Sequence, residues 1–200
     1  MIAWILVTTS FIAAQMLSDI ASLQIVRFAG LSLDAGTFIY PFTFTLRDVA
    51  HKVLGLKGVR TLIFAAAGIN LFMSGFFAFV AALEPDPLAG ATRAWGQVLA
   101  PVWRITMASI IAEVIAGLTD TESYRIWVER ITRRYQWMRV LVSNTISIPL
   151  DSFVFVGLAF YGIMPNEALF AIFWANVLIK GLVTLFSLPL IYTVKDRHNA

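Results

Sequence analysis

Cysteine is absent from the 200 residues, and histidine occurs only as His51 and His198. The first absence excludes disulfides, thiolate metal sites and a cysteine nucleophile. The second leaves too few imidazoles for a histidine-built metal centre. Charge is scarce too: 14% of residues are charged, where a soluble domain carries about a quarter. No phosphate-binding loop is present, so this chain is not expected to hydrolyse ATP itself. No Ser/His or His/acid metal pattern supports an intramembrane enzyme, and His51 is the sole candidate base near a span. The expectation is a non-enzyme with no cofactor, no metal and no nucleic-acid partner.

Apolar residues are plentiful, at 59%, with 16 Phe. They come in long runs rather than in a half-buried alternation. Segment 61–83 holds no charge at all and exceeds the about 20 residues that cross a bilayer. The fold class expected is all-α: a polytopic membrane protein of six transmembrane helices, in a single domain over residues 1–200. The spans read as 2–26, 35–55, 60–83, 102–119, 140–163 and 168–194. The first has no basic residue ahead of its long apolar run, so it reads as a retained helix rather than a cleaved signal.

Basic residues are unevenly placed. Arg47, Lys52, Lys57, Arg60, Arg125, Arg130, Arg133, Arg134, Arg139, Lys195 and Arg197 fall on one side of the predicted spans, and Arg27, Arg93 and Arg104 on the other. The positive-inside rule then puts both termini in the cytoplasm, with the protein in the inner membrane. Segment 124–138 sets Tyr124, Trp127, Ile131 and Tyr135 at helical spacing among arginines. It reads as an amphipathic helix on the cytoplasmic leaflet, either a surface anchor or a docking site for a partner. The second span is interrupted by Pro41 and the fifth by Pro149. Proline removes a donor and pushes its predecessor, here Tyr40, away from helical geometry. Each proline is followed by an aspartate, Asp48 and Asp151. Paired interruptions in two halves point to inverted three-helix repeats with a binding site near the midplane.

Polar residues run in stripes. Gln15, Asp19 and Ser22 share one face of the first span; Asn144, Ser147 and Asp151 share one of the fifth; Asn176, Lys180, Thr184 and Ser187 share one of the sixth. A charge at a helix centre costs about 2.5–3.5 kcal/mol on insertion scales. Asp151 and Lys180 both fall near mid-span, so the cheapest arrangement is that they meet. The pair is then either structural, or part of a polar cavity that binds a ligand, or both. Arg104 is read as a donor near the outer end of the fourth span or as a snorkelling side chain. Glu113 has no evident partner. Asp48, Asp151 and Glu113 are the candidates for carrying a coupling proton.

The stretch "YPFTFTLRDVAHKVLGLKGVR" (40–60) resembles the signature of the queuosine precursor transporter (VUT) family, on Tyr40, Pro41, Phe44, Asp48, Gly55 and Arg60. "RITMASIIAEVIAGLTD", "SNTISIPLDSFVFVGLAF" and "NVLIKGLVTLFSLPLIY" are similar to three further family segments, in the same order. Lys52, Asp19, Gln24 and Ser187 depart from common family residues. The resemblance implies uptake of 7-cyano-7-deazaguanine or 7-aminomethyl-7-deazaguanine by alternating access. The alternative is a substrate-binding membrane subunit energised by a separate ATPase. A homodimer is left open. The chemistry suits the residues: Asp151 or Asp48 can accept the adjacent ring N–H and amino group in a bidentate contact. Lys180, Arg104 or Asn144 can donate to the exocyclic oxygen. Phe44, Tyr40 or Phe153 can cover the ring, and Asp19 can meet an aminomethyl cation. Asn176 completes the substrate-binding candidates.

Overall fold

The computed structural model describes residues 2–86, 88, 94–132 and 135–192. In chain order these form α1 (Ile2–Ala21), β1 (Ile25–Phe28), β2 (Leu31–Asp34), a 3-10 turn (Ala35–Phe38), α2 (Pro41–Ala82), α3 (Ala94–Leu99), α4 (Val102–Ile126), a π-helical turn (Trp127–Ile131), α5 (Gln136–Phe160), α6 (Asn166–Ser187) and a closing 3-10 turn (Leu188–Tyr192). The molecule is mostly helical. Five helical segments are long and apolar enough to cross a membrane: α1, α2, α4 with its extensions, α5 and α6.

The exposed side chains suit lipid. Phe72, Phe79, Phe153 and Phe186 are 60–83% exposed, whereas Gln15, Asn70, Ser147 and Asn176 are fully buried. In water, apolar exposure on this scale would be a large interaction patch; in hydrocarbon it costs nothing, and the polar groups must find one another inside.

Segment 22–40 departs from the expected pattern. The expected first span runs to residue 26 and the second starts at 35; α1 instead ends at Ala21 and α2 starts at Pro41, and between them the chain makes a hairpin with Ile25 opposite Asp34 and Phe28 opposite Leu31. Its two-residue turn places Ala29 at φ 50° and Gly30 at φ 83°, the geometry whose twist matches paired strands. The following 3-10 turn presses on α1: a Cβ on Gly36 would lie 2.5 Å from the Ser18 carbonyl oxygen. Glycine is what permits that approach.

Neither proline breaks a helix as expected. Pro41 stands at the first position of α2, where its missing N–H would be unpaired anyway, and Tyr40 keeps helical angles at φ −54°, ψ −39°. Pro149 lies within a continuous α5. The break falls at Gly55 instead, at φ 73°, ψ 176°, a conformation open to glycine. The two arms of α2 meet the same place on α4. Where a Gly117 side chain would sit, Ile63 Cδ1 is 3.1 Å away and Arg47 Nη1 3.3 Å. Residues 47 and 63 on one straight helix would be about 24 Å apart along its axis.

Segment 124–138 is not one surface helix. Its first part prolongs α4, where Trp127 is buried, and its last part opens α5. Arg133 and Arg134 lie outside the described residues, as do Arg93, Lys195, Arg197 and His198. Packing pulls Tyr124 inward, stacking its ring on His51 at 4.3 Å. On α4, the buried face of Ala108, Ala112, Ala116 and Gly117 is built of small residues that let helix backbones approach closely.

Candidate functional site

A cavity lies where α1, the 3-10 turn, the start of α2, α4, α5 and α6 converge. It encloses about 260 Å³ counting its open mouth, with no more free space at its centre than a single water needs. Asp151 and Lys180 face each other across it, Nζ to Oδ2, at 2.7 Å. Tyr40 donates its hydroxyl to the other carboxylate oxygen at 2.8 Å. The ammonium lies 4.7 Å from the Tyr40 ring centroid and 5.9 Å from that of Phe155, within cation–π reach. Ser18, Ser22, Ser109 and Thr37 add hydroxyls to the wall.

Asp34 is the second carboxylate of the wall. It caps the 3-10 turn, accepting from Thr37 N at 3.2 Å, from Ser22 Oγ at 2.7 Å and from Asn176 Nδ2 at 2.7 Å. Thr37 Oγ1 lies 2.9 Å from Asp34 Oδ2 and 2.8 Å from Asn176 Oδ1, sharing one proton between them. This carboxylate is held on every side, whereas Asp151 is held by two groups that each face open space.

A second polar layer joins α2, α4 and the start of α5. Arg47 Nε meets Asp120 at 3.0 Å and Arg139 Nη1 meets Asp48 at 2.9 Å, all four side chains buried. Arg139 also lies 4.3 Å over the Tyr124 ring, and Arg47 4.9 Å over Phe44. Asp48, His51 and Asp120 bring ligand atoms within 4.8 Å of one another. The arginines pair with both acids, so the charge of this cluster is already compensated without a cation.

Of the predicted binding residues, Asp151, Lys180 and Tyr40 line the cavity. Asn176 positions Asp34 and Thr37 behind its wall. Asp19 is buried on α1, one position from Ser18 of the wall, and is not part of the lining. Phe44 backs the Tyr40 ring, centroids 5.6 Å apart. The fold does not bring the others there. Asp48 belongs to the ionic layer. Asn144 is buried on α5, where Ser147 reaches it at 3.4 Å. Arg104 donates to the Leu158 and Tyr161 carbonyls at 3.1 and 2.6 Å, satisfying the C-terminus of α5. Phe153 is 70% exposed.

The residues missed were legible in part. Phe155 stands one turn from Asp151 on the same face, whereas Phe153 points elsewhere. Asp34 precedes Ala-Gly-Thr, a cap signal for a helical turn. Ser18 and Ser109 carry no such mark.

A family model described as "Putative vitamin uptake transporter" matches residues 34–194. A Bacillus subtilis (strain 168) protein named "Probable queuosine precursor transporter" is 28% identical over 180 residues, covering 88% of this chain and 78% of that protein. No solved structure matches.

Proposed function

The chain belongs to the vitamin uptake transporter family, and from that premise we propose that it imports a queuosine precursor, a 7-deazaguanine base, by alternating access. It is a multi-pass membrane transport protein and not an enzyme. The name of the Bacillus relative supports the substrate class. The observation that carries the reading is the Asp151–Lys180 pair facing free space under Tyr40 and Phe155.

The pair is a template for a guanine-like edge. Asp151 offers two acceptor oxygens to an adjacent ring N–H and amino group, and Lys180 a donor to the exocyclic oxygen. A base entering between them exchanges one buried ion pair for charge-assisted contacts on both sides, so neither charge is left bare. Tyr40 and Phe155 supply the faces for stacking, worth roughly 1–3 kcal/mol per base in comparable settings. The central space is too small for a base while the pair is closed, so loading requires α5 and α6 to part. That coupling of occupancy to helix position is what alternating access needs.

Six crossings follow if α2 is counted as two arms folded back at Gly55. The meeting of Arg47 and Ile63 at Gly117 supports this, as does the length of α2, whose 42 residues would run about 63 Å if straight. Six crossings, with the basic loops inside, leave both termini cytoplasmic in the inner membrane. The inverted repeat has less support, because the prolines that suggested it break neither helix.

The test is uptake of radiolabelled 7-cyano- and 7-aminomethyl-7-deazaguanine by the purified chain in liposomes. Saturable uptake of either base, competed by the other or by guanine-like analogues, is expected. No uptake of any base would overturn the substrate reading, and uptake that appears only with an added ATPase would replace it with that of a partner-dependent subunit.

A further inference from the structure

Each buried acid among the described residues can be matched with what neutralises it. Asp151, Asp120 and Asp48 take Lys180, Arg47 and Arg139. Asp34 is saturated by hydrogen bonds. Asp19 and Glu113 remain, both about 1% exposed and without an ion pair. Gln15 donates its amide to Glu113 Oε2. Glu113 Oε1, Asp19 Oδ2 and the Gln15 carbonyl oxygen have no hydrogen-bond partner. Ionised carboxylates buried side by side cost several kcal/mol each, and binding a proton removes that cost.

The arginine nearby locates the proton. Arg47 crosses α4 at Gly117, with Glu113 one turn before on the same face and Asp120 one turn after. Its guanidinium turns wholly to Asp120, and its Nη2 has no hydrogen-bond partner. An ionised Glu113 would draw that buried, unused donor to itself. The titratable and charged groups facing Glu113 are Asp19 from α1, Tyr40 at the entry to α2, Arg47 from α2 and Asp151 from α5.

We propose that Glu113 is a proton-binding site that couples transport to the proton gradient: protonated, it leaves Arg47 to Asp120 and the ionic layer closed; on releasing its proton to water, it captures Arg47 and opens that layer. The ligand is a hydron from the aqueous phase, bound to the carboxylate and released as such. Tyr40 and Asp151 line the cavity and Asp151 also faces Glu113, which joins this site to the place proposed for the base. The coupling rests on the transport reading; the proton site itself does not.

The test uses the full chain in liposomes with two readouts. Difference infrared spectra at neutral pH should show the C=O stretch of a protonated carboxyl in the wild type and in Asp19→Asn, and none in Glu113→Gln. An outside-acid gradient should concentrate 7-cyano-7-deazaguanine several-fold in wild type, while Glu113→Gln, held in the arrangement of the protonated acid with the ionic layer closed, still binds the base but neither exchanges nor accumulates it. A band that persists in Glu113→Gln, or is lost in Asp19→Asn alone, overturns the assignment. Unimpaired gradient-driven accumulation by Glu113→Gln overturns the coupling. If no base is transported by wild type, the substrate reading fails and the infrared result still decides the proton site. Should Glu113→Gln not fold, Gln15→Leu, which removes the amide donor to Glu113, is expected to shift the band; an unshifted band counts against Glu113.

Discussion

The cavity and the ionic layer are made of the same chemistry and differ in what surrounds it. Asp151–Lys180, Asp48–Arg139 and Arg47–Asp120 are all buried, at 2.7, 2.9 and 3.0 Å. The first faces free space lined by hydroxyls and two aromatic rings. The second lies against the Tyr124 ring, and the third against Phe44 and the seam of α4. A buried pair is not in itself strong evidence of stabilisation, since desolvation offsets much of the attraction. What distinguishes a ligand site from a clasp is therefore the empty volume beside the charges and not the charges themselves.

Asp151→Asn should have the largest effect on function. It removes the bidentate acceptor and is expected to abolish base binding, measured by counterflow in liposomes; wild-type affinity would erase the distinction between the two regions. In the ionic layer, breaking one partner should act on the fold instead. Asp48→Asn leaves Arg139 buried beside a neutral group and should cost about 3–5 kcal/mol, read as thermal unfolding in detergent. Replacing both with apolar residues, Asp48→Leu with Arg139→Met, should restore most of that stability, because such replacements are often neutral; failure to recover would assign the pair more than a closing role.

Lys180→Met sharpens the contrast from the cavity side. If the pair serves the ligand, uptake is lost while most of the melting temperature is kept, since Tyr40 still donates to Asp151. A collapse equal to that of Asp48→Asn would make it a clasp like the others. The smallest effect concerns two phenylalanines. Phe155→Ala should weaken base binding by about 5- to 150-fold, from the roughly 1–3 kcal/mol of stacking. Phe153→Ala, on the lipid face, should leave it unchanged.

Much of this was legible before any coordinates. The stripes of polar residues on α1, α5 and α6 did turn inward, and Asp151 and Lys180 did meet, because an unpaired charge in hydrocarbon has few alternatives. Other expectations failed for a shared reason. Proline was given the breaking role that belongs to Gly55; a proline's effect depends on whether its missing N–H had a partner to lose. Arg104 was offered either to the substrate or to the outer interface, and the structure sets it on carbonyls at the end of α5, outside the cavity lining. Asp34 went unnoticed because its importance depends on Asn176, a residue far along the chain that only folding brings near.

The amino-acid order alone determined that this chain lives in a bilayer, which faces of its helices are polar, and that its mid-span charges must be compensated. Those follow from the cost of each residue in hydrocarbon, a property of single positions and their helical spacing. Only the tertiary structure decided which acid takes which cation, which pair borders empty space, and which buried acids among the described residues, Asp19, Asp34 and Glu113, take none. Partner choice depends on distance between segments remote in sequence, and the Coulomb energy that selects partners falls off with that distance, so no periodicity within one helix can encode it.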